Sequence, residues 1–154
     1  MESVQDLTIL LTSPAAKPPK TQSENSAGFT IYSAENKAVH SGETCLIDTH
    51  LKIECPKNYF CKIIERASLA YFEHLNVRAG VIDHDYKGTI KLVLQNHGKT
   101  IRYIRLGQPI AQMIVLPHVK PKLKIKSDYL PPRDYADFDL EENLQKCSSK
   151  GYNY

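Results

Sequence analysis

The chain has 154 residues and a formal net charge of +3, which suits one domain with its own core and is too small a charge to indicate nucleic-acid binding. No apolar run approaches the roughly 20 residues that span a bilayer, and the opening MESVQDLTILL lacks the basic segment of a secretory signal. We therefore expect a soluble intracellular protein, cytoplasmic or nuclear, with no membrane and no nucleic-acid partner.

Alternation of apolar and polar residues with a period of two dominates the chain and predicts β-strands. The run 109–116, PIAQMIVL, is continuously apolar and is typical of a strand covered on both faces. Clusters of turn residues separate the runs, so the pattern favours an all-β fold such as a sandwich, jelly roll or small barrel. In chain order, the predicted strands are 7–11, 47–53, 79–90, 90–94 and 109–116.

One short helix is predicted at residues 67–75, where Leu69, Phe72 and Leu75 would share a face. A helix of this length is not stable without packing. We therefore expect at most one or two helical turns in an otherwise all-β protein.

The last 36 residues differ from the rest of the chain. Lysines alternate in VKPKLKIK, at Lys120, Lys122, Lys124 and Lys126, which is typical of a solvated strand edge. The acidic, proline-led segment that follows lacks the apolar content for its own core. We therefore divide the chain into a β domain, 1–118, and a C-terminal strand and tail, 119–154, which is either disordered or laid across another subunit.

Cysteines and histidines show no metal-binding spacing. Cys45, Cys55, Cys61 and Cys147 form no C-x-x-C pair and have no histidine at a zinc-ligand offset. In an intracellular chain we expect them to stay reduced, as small core or surface residues. The six histidines form neither H-x-H nor H-E-x-x-H, so we expect no metal site built by the protein.

The segment AGVIDHDYKGTI, residues 79–90, carries two carboxylates within a strand-like run. A period of two would place Asp83 and Asp85 on one face and Tyr86 on the other. One interpretation is a hairpin whose polar face meets solvent. The other is a carboxylate at the rim of a pocket that acts as a base toward water, with Tyr86 as a stacking surface and Gly80 admitting a ligand close to the backbone.

Five segments, in order, resemble the motifs of the trimeric dUTPase family. GVIDHDYKG is similar to the third motif, usually GVIDxDYRG. SAGFTIYSA (26–34), ERASLA (65–70) and LGQPIAQMIVLP (106–117) resemble the first, second and fourth, usually AGYDLxA, PRSGLA and GDRIAQLI. SSKGYNY resembles a shortened fifth motif, RGxxGFGSTG. The resemblance covers residues 5–118 and, weakly, the end of the chain.

The resemblance implies an all-β, jelly-roll-like dUTPase fold assembled as a homotrimer. In the family, active sites lie at subunit junctions, and the C-terminal tail closes over a site on another subunit. The reaction is hydrolysis of dUTP to dUMP and pyrophosphate, with Mg²⁺ held mainly by the triphosphate. A deoxyuridine nucleotide, and Mg²⁺ if the protein is active, are therefore the expected ligands.

The resemblance also assigns roles by position. Asp83 matches the carboxylate that orients and activates the attacking water, and Tyr86 matches the residue that packs against deoxyribose and excludes a 2′-hydroxyl. Residues 77–82 match the hairpin that reads uracil, largely through main-chain groups. Gln112 matches a glutamine that contacts phosphate. The candidate substrate-binding residues are Arg66, Ser68, Val77, Ala79, Gly80, Val81, Ile82, Tyr86 and Gln112.

Several positions depart from the family pattern around the triphosphate. Thr30 replaces the first-motif aspartate that holds waters around magnesium, and Ala67 replaces the phosphate-binding serine, with Ser68 as its neighbour. Losing one hydrogen bond to a charged phosphate costs about 1.5–3 kcal/mol, so we expect a preserved nucleoside half and a weakened triphosphate half. The other replacements are Glu65 for proline, Gln108 for aspartate, Pro109 for arginine and Cys147 for the fifth-motif arginine.

Two functions are compatible with these residues. The first is dUTP hydrolysis that is weak or lost; the second is a catalytically inactive dUTPase-like trimer that binds a protein partner, as in viral family members that became signalling proteins. The related dCTP deaminase branch is a weaker third, because its additional catalytic motif has no match. KLKIK lacks the aromatic residues of a nucleic-acid site, and the terminal YNY could add as a strand to a PDZ-type domain.

Overall fold

The computed structural model describes residues 6–126, and this part of the chain forms eleven strands and one short helix. The prediction of an all-β protein with at most one short helix is confirmed. No helix within residues 6–126 is long and apolar enough to cross a membrane. The elements are β1 (Thr8–Leu11), β2 (Phe29–Tyr32), β3 (Lys37–Val39), β4 (Thr44–Asp48), β5 (Leu51–Glu54), β6 (Tyr59–Ile64), α1 (Ala67–Phe72), β7 (Leu75–Arg78), β8 (Val81–Ile82), β9 (Lys91–Asn96), β10 (Arg102–Ile104) and β11 (Pro109–Pro117).

The strands form antiparallel sheets of four, three, two and two strands. The largest has the order β2-β11-β6-β8, the next has the order β4-β9-β7, and β1-β5 and β10-β3 form the two pairs. Strand β11 pairs with β2 on one side and β6 on the other. Ile110, Ala111 and Met113 are each 0% exposed, which agrees with the buried strand predicted at 109–116. The strand order therefore places the first and fourth motif segments side by side, and β6 separates them from β8 of the third motif.

The core is one cluster of buried apolar side chains drawn from all four sheets. On β9, alternation predicts the burial correctly: Leu92 and Leu94 are buried while Lys91 is exposed. Removing these side chains from water contributes about 25 cal/mol per Å² of apolar surface. On β1, Ile9 packs against the cluster but Leu11 is half exposed, so the predicted face is only partly buried.

The alternating segment 47–53 is two strands rather than one. Its apolar face is buried as predicted, and Ile47, Thr49 and Leu51 are each 0% exposed. However, His50 adopts a φ of 49° and separates β4, which pairs with β9, from β5, which pairs with β1. The His50 N–H donates to the Asp48 carboxylate at 2.7 Å. This local bond marks a break that the period-two pattern does not show.

Helix α1 is shorter than predicted. Leu69 is buried, but Phe72 is 68% exposed, so its predicted place on the buried face is wrong. Leu75 is buried as the first residue of β7 rather than as part of the helix. Arg102 donates to the main-chain oxygens of Phe72 and Glu73, at 3.3 and 3.1 Å. These bonds satisfy carbonyls that a helix end leaves unpaired, and they fix where the helix stops.

The lysine-rich segment forms no strand in the described residues 119–126. Leu123 and Ile125 are both 89% exposed. The prediction of a solvated strand edge at Lys120, Lys122, Lys124 and Lys126 is therefore wrong, because alternation produces a strand only where a neighbouring strand supplies hydrogen-bond partners. The predictions for the acidic segment, Cys147 and the terminal YNY lie outside the described residues.

The three described cysteines are free thiols, and two of them belong to the core. Cys55 and Cys61 are buried, whereas Cys45 is half-buried. The prediction of small core or surface residues is confirmed for these three. Burial, reinforced by the neighbouring Cys55, raises the pKa of the Cys61 thiol to about 12.

We predict that Cys61 resists alkylation in the native protein. Iodoacetamide reacts with the thiolate, and at pH 8 both burial and the raised pKa keep Cys61 as an inaccessible thiol. The half-buried Cys45 should react at least tenfold faster, as followed by timed alkylation and peptide mass spectrometry. A matched reaction in guanidinium should label both equally. Native labelling of Cys61 at the denatured rate would contradict the packing described here.

Candidate active site

Strand β8 ends after Ile82, and residues 83–86 form a turn. The N–H of Tyr86 donates to the carbonyl oxygen of Asp83 at 3.1 Å, which closes the turn. The prediction that Asp83 and Asp85 share a strand face is therefore wrong, because the turn interrupts the alternation. Both carboxylates are exposed. Asp83 comes directly after a strand residue, Ile82, that pairs with β6, so the turn starts from a fixed point.

The ring of Tyr86 is held against its own turn. Its hydroxyl donates to the carbonyl oxygen of Thr89 at 3.1 Å. A Cβ at Gly88 would lie 2.5 Å from that hydroxyl oxygen, so the ring takes this position only because residue 88 is glycine. Tyr86 remains 44% exposed. The structure thus fixes the orientation of an aromatic face three residues after Asp83.

The segment 77–82 contains the other candidate nucleoside-binding residues. It is not the hairpin that the resemblance implies, because β7 pairs with β9 and β8 pairs with β6. Ala79 lies between β7 and β8 with a φ of 52°, and it is exposed. Its main-chain N–H and C=O belong to no strand pairing and to none of the turn hydrogen bonds in the described chain. These groups are therefore available to a ligand. Val81 is exposed, whereas Val77 and Ile82 are half-buried.

Gly80 makes a close backbone contact that the sequence does not predict. A Cβ there would lie 2.0 Å from the carbonyl oxygen of Ile63, and the Ile63 N–H donates to the Gly80 oxygen at 2.6 Å. A glycine is thus required here by the backbone of β6. This contact anchors the segment 77–82 to β6.

We predict that Gly80→Ala destabilises the protein by about 3 kcal/mol, since overpacking against fixed backbone costs roughly 1–3 kcal/mol and a hydrogen bond is strained as well. Gly42→Ala is the matched control: Gly42 has a φ of 77° but no atom within 4 Å of a new Cβ. That variant should lose only about 1–2 kcal/mol, the cost of an L-residue in the left-handed conformation. Urea unfolding measures both, and equal losses would refute the proposed contact at Gly80.

Residues of the first, second and fourth motifs meet beside β11. Gln112 lies opposite Thr30 of β2 on one side and Ile64 of β6 on the other. Just after β6, the Arg66 guanidinium donates through Nη1 to Thr30 Oγ1 at 2.8 Å. Thr30 is 7% exposed, and Arg66 is half-buried. The structure therefore brings Arg66 and Gln112 to the position where Thr30 replaces the usual aspartate.

An open cleft of about 270 Å³ continues from Arg66. The exposed Ser68 lines it, and Ala67, the first residue of α1, does not. Glu73, whose carboxylate pairs with Arg102 at 3.1 Å, also lines it, whereas Glu65 does not. Neither Asp83 nor Tyr86 is among the lining residues. The full lining is Arg66, Ser68, Leu69, Phe72, Glu73, Gln108 and Pro109.

Gln108, which replaces a family aspartate, is a turn-forming residue. Its side-chain oxygen accepts a hydrogen bond from the Arg105 N–H at 2.9 Å, and its main-chain N–H donates to the Arg105 carbonyl at 3.0 Å. Gly107 supplies the φ of 77° that this tight turn requires. A carboxylate could accept the same bond, so this replacement preserves the shape of the loop.

The structure also shows a contact that sequence reasoning missed. His84 Nδ1 lies 2.5 Å from the carbonyl oxygen of Cys55. No sequence signal indicates it, because Cys55 is 29 residues away from His84 along the chain. Within residues 6–126, no group of three His, Cys, Asp or Glu side chains could hold a metal ion.

With this geometry in view, comparison with known proteins defines the class. The sequence model of the dUTPase family matches residues 15–136. The chain belongs to the dUTPase family. It is 34% identical over 110 residues to the deoxyuridine 5′-triphosphate nucleotidohydrolase of Yarrowia lipolytica, covering 71% of this chain and 70% of that one. It is 35% identical over 120 residues to the Fowlpox virus protein of the same name, and the match covers 78% of this chain and 83% of that one.

Solved structures show the same fold. A mutant dUTPase from phage phi11 of S. aureus, described with a structural Mg(II) ion, has a TM-score of 0.76 at 22% identity and covers 82% of this chain and 99% of its own. The Staphylococcus bacteriophage 80alpha dUTPase with dUpNHpp also has a TM-score of 0.76, and the match covers 82% of this chain and 91% of that one. That phage enzyme is described as controlling the transfer of virulence genes. The fold is therefore the all-β dUTPase fold.

Proposed function

We propose that this protein binds deoxyuridine nucleotides and hydrolyses dUTP to dUMP and pyrophosphate at a low rate. The observation that carries the proposal is the exposed turn 83–86, which presents the Asp83 carboxylate close in sequence to the fixed ring of Tyr86. Family membership supports the same reaction, because the relatives in Yarrowia lipolytica and Fowlpox virus are deoxyuridine 5′-triphosphate nucleotidohydrolases.

In this proposal the segment 77–82 and the turn 83–86 bind the nucleoside. The free main-chain N–H and C=O of Ala79 pair with the polar edge of uracil, and residues 77–82 enclose the base. The half-exposed ring of Tyr86 packs against C2′ of the deoxyribose and leaves no space for a ribose hydroxyl. Rejection of UTP then follows from shape, since a hydroxyl forced against a ring loses its hydrogen bonds to water.

Asp83 is the proposed catalytic residue. Its carboxylate orients a water molecule and accepts a proton from it as the water attacks, and the phosphoanhydride between the α- and β-phosphates breaks. Pyrophosphate leaves and dUMP keeps the new P–O bond. A general base in this role supplies about 10²–10⁴-fold in rate.

The proposed triphosphate site is Arg66, Ser68 and Gln112. A guanidinium has five N–H donors, so Arg66 keeps donors for a phosphate after the bond to Thr30. Thr30 is neutral where the family has a carboxylate, and Ala67 supplies no hydroxyl. Each missing phosphate or water contact costs about 1.5–3 kcal/mol, which is the reason for proposing slow turnover.

Magnesium enters this scheme as part of the substrate. The donor set around Thr30 consists of a hydroxyl, a guanidinium and an amide, and Mg²⁺ prefers carboxylate and phosphate oxygens. The described residues therefore do not fit a resident Mg²⁺ site, and Mg²⁺ is bound by the triphosphate that it accompanies.

We further propose a homotrimer with each site shared between subunits. Within one chain, the cleft beside Arg66 has neither Asp83 nor Tyr86 in its lining, so a neighbouring subunit supplies one half of the site. Exposed apolar side chains such as Leu10, Leu46 and Val81 offer surface for assembly. Sedimentation should give a trimer at micromolar concentration, and a monomer would refute the shared site.

The proposed reaction is tested by pyrophosphate release from Mg²⁺–dUTP, with dCTP, dTTP and UTP as controls. The expected result is slow release that is specific for dUTP. Release at equal rates from dUTP and UTP would contradict the role of Tyr86, and release of ammonia from dCTP would favour the deaminase branch of related folds.

The alternative is a nucleotide-binding trimer without catalysis that regulates a protein partner. The observation that favours it is the neutral Thr30 in a buried hydrogen bond to Arg66. The phage 80alpha neighbour combines a dUTPase fold with control of gene transfer. Binding of dUpNHpp without any dUTP turnover would select this alternative.

A further inference from the structure

We propose that His84 is a positioning residue, which ties the turn 83–86 to the Cys55 carbonyl and so holds the Asp83 carboxylate in place for hydrolysis. The catalytic part of this inference rests on the function proposed above. The hydrogen bond from His84 to the Cys55 carbonyl, called the tether below, rests on geometry alone.

The hydrogen bond between His84 and Cys55 is short, and the histidine is its donor. His84 Nδ1 lies 2.5 Å from the Cys55 carbonyl oxygen. A carbonyl oxygen only accepts hydrogen bonds, so Nδ1 must carry the proton. Cys55 follows β5 directly and is 4% exposed. The acceptor therefore belongs to the packed core, and the donor belongs to an exposed turn.

This hydrogen bond joins the turn to a residue outside the segment 83–89. Among the described residues, the other hydrogen bonds made by residues 83–89 stay within that segment: Tyr86 N–H to Asp83 and Tyr86 hydroxyl to Thr89. Asp83 and Asp85 make no hydrogen bond through their carboxylates there. Without the histidine, the turn is held only at its ends, by the pairing of Ile82 and by Ile90.

The tether does not depend on the charge of the imidazole. The neutral Nδ1–H tautomer and the imidazolium both donate from Nδ1, so protonation leaves the bond to Cys55 in place. The residue acts as a fixed donor and not as a pH switch. Its effect on the reaction is positional, since displacement of a catalytic group by about 1 Å can cost up to 100-fold in rate.

Two variants separate the tether from the bulk of the side chain. His84→Leu keeps an apolar side chain of similar size and removes the donor. His84→Asn restores a donor, because the Asn side-chain nitrogen is as many bonds from Cα as histidine Nδ1. Thermal unfolding of both full-length variants shows that they are folded before they are compared.

Two readouts test the tether without any turnover. The ¹⁵N shifts of His84 in the wild-type protein should show a proton on Nδ1, and the Tyr86 amide should exchange at least about tenfold faster in the Leu variant than in the Asn variant. A neutral imidazole protonated on Nε2 alone, or equal exchange in both variants, would overturn the tether.

Kinetics test the positioning role. For dUTP we expect kcat to fall about tenfold in His84→Leu with KM within about twofold, and to stay near wild type in His84→Asn. An unchanged kcat in the Leu variant, or an equal loss in both, would overturn the role. A wild-type protein without turnover would refute the proposed function, and the shifts and the amide exchange would still decide the tether.

Discussion

Replacing Asp83 with asparagine is expected to reduce pyrophosphate release from dUTP at least about 100-fold. Asparagine keeps the size of the side chain and its exposed position in the turn but cannot accept a proton from water, and loss of a general base costs about 10²–10⁴-fold. The affinity for dUMP should change by less than about threefold, because the carboxylate contacts the water and not the nucleoside. Steady-state kinetics and calorimetry measure the two effects.

Asp85→Asn is the matched control for this prediction. Asp85 lies in the same turn, is also exposed and makes no side-chain hydrogen bond within residues 6–126. Its removal changes the charge by the same amount, so any loss of long-range attraction affects both variants alike. Equal losses in the two variants would show that charge, and not the position of Asp83, controls the rate.

Converting Thr30 to aspartate is expected to raise dUTP turnover about tenfold or more. Thr30 Oγ1 already lies 2.8 Å from the Arg66 guanidinium, so a carboxylate there gains a charge-assisted hydrogen bond that offsets its burial. Resemblance to the family implies that an aspartate at this position holds the waters around magnesium. The rate of pyrophosphate release with Mg²⁺–dUTP measures the effect.

Thr30→Asn provides the neutral control, since asparagine has the shape of aspartate without its charge. It should leave turnover within about twofold of wild type. If Thr30→Asp were no faster than Thr30→Asn, the missing carboxylate would not limit the reaction, and the account of a weakened triphosphate site would lose its main support.

Alternation in the sequence predicts the buried faces well, because every second residue of a strand lies on the same face. Leu92 and Leu94 on β9 follow the pattern, and so do Ile47 and Leu51. The pattern fails where a local hydrogen bond changes the chain direction. The His50 N–H to Asp48 does so inside an alternating run, and the Tyr86 N–H to Asp83 does so inside the strand-like run 79–90.

The sequence predicts which residues belong to the candidate site but not how they are placed relative to one another. The motifs identify Arg66, Gln112 and Asp83. The bond from Arg66 to Thr30 joins residues 36 apart, and the bond from His84 to Cys55 joins residues 29 apart. Such contacts depend on how the strands pair. The close contact of Gly80 with Ile63 on another strand is of the same kind.

Calorimetry with dUMP and dUpNHpp, each in the presence of Mg²⁺, tests the central claim most directly. If the nucleoside half of the site is preserved and the triphosphate half is weakened, dUMP binds measurably and the analogue binds at most about tenfold tighter, a gain of about 1.4 kcal/mol. An analogue that binds more than about 100-fold tighter than dUMP, or a protein that binds neither, would contradict the account.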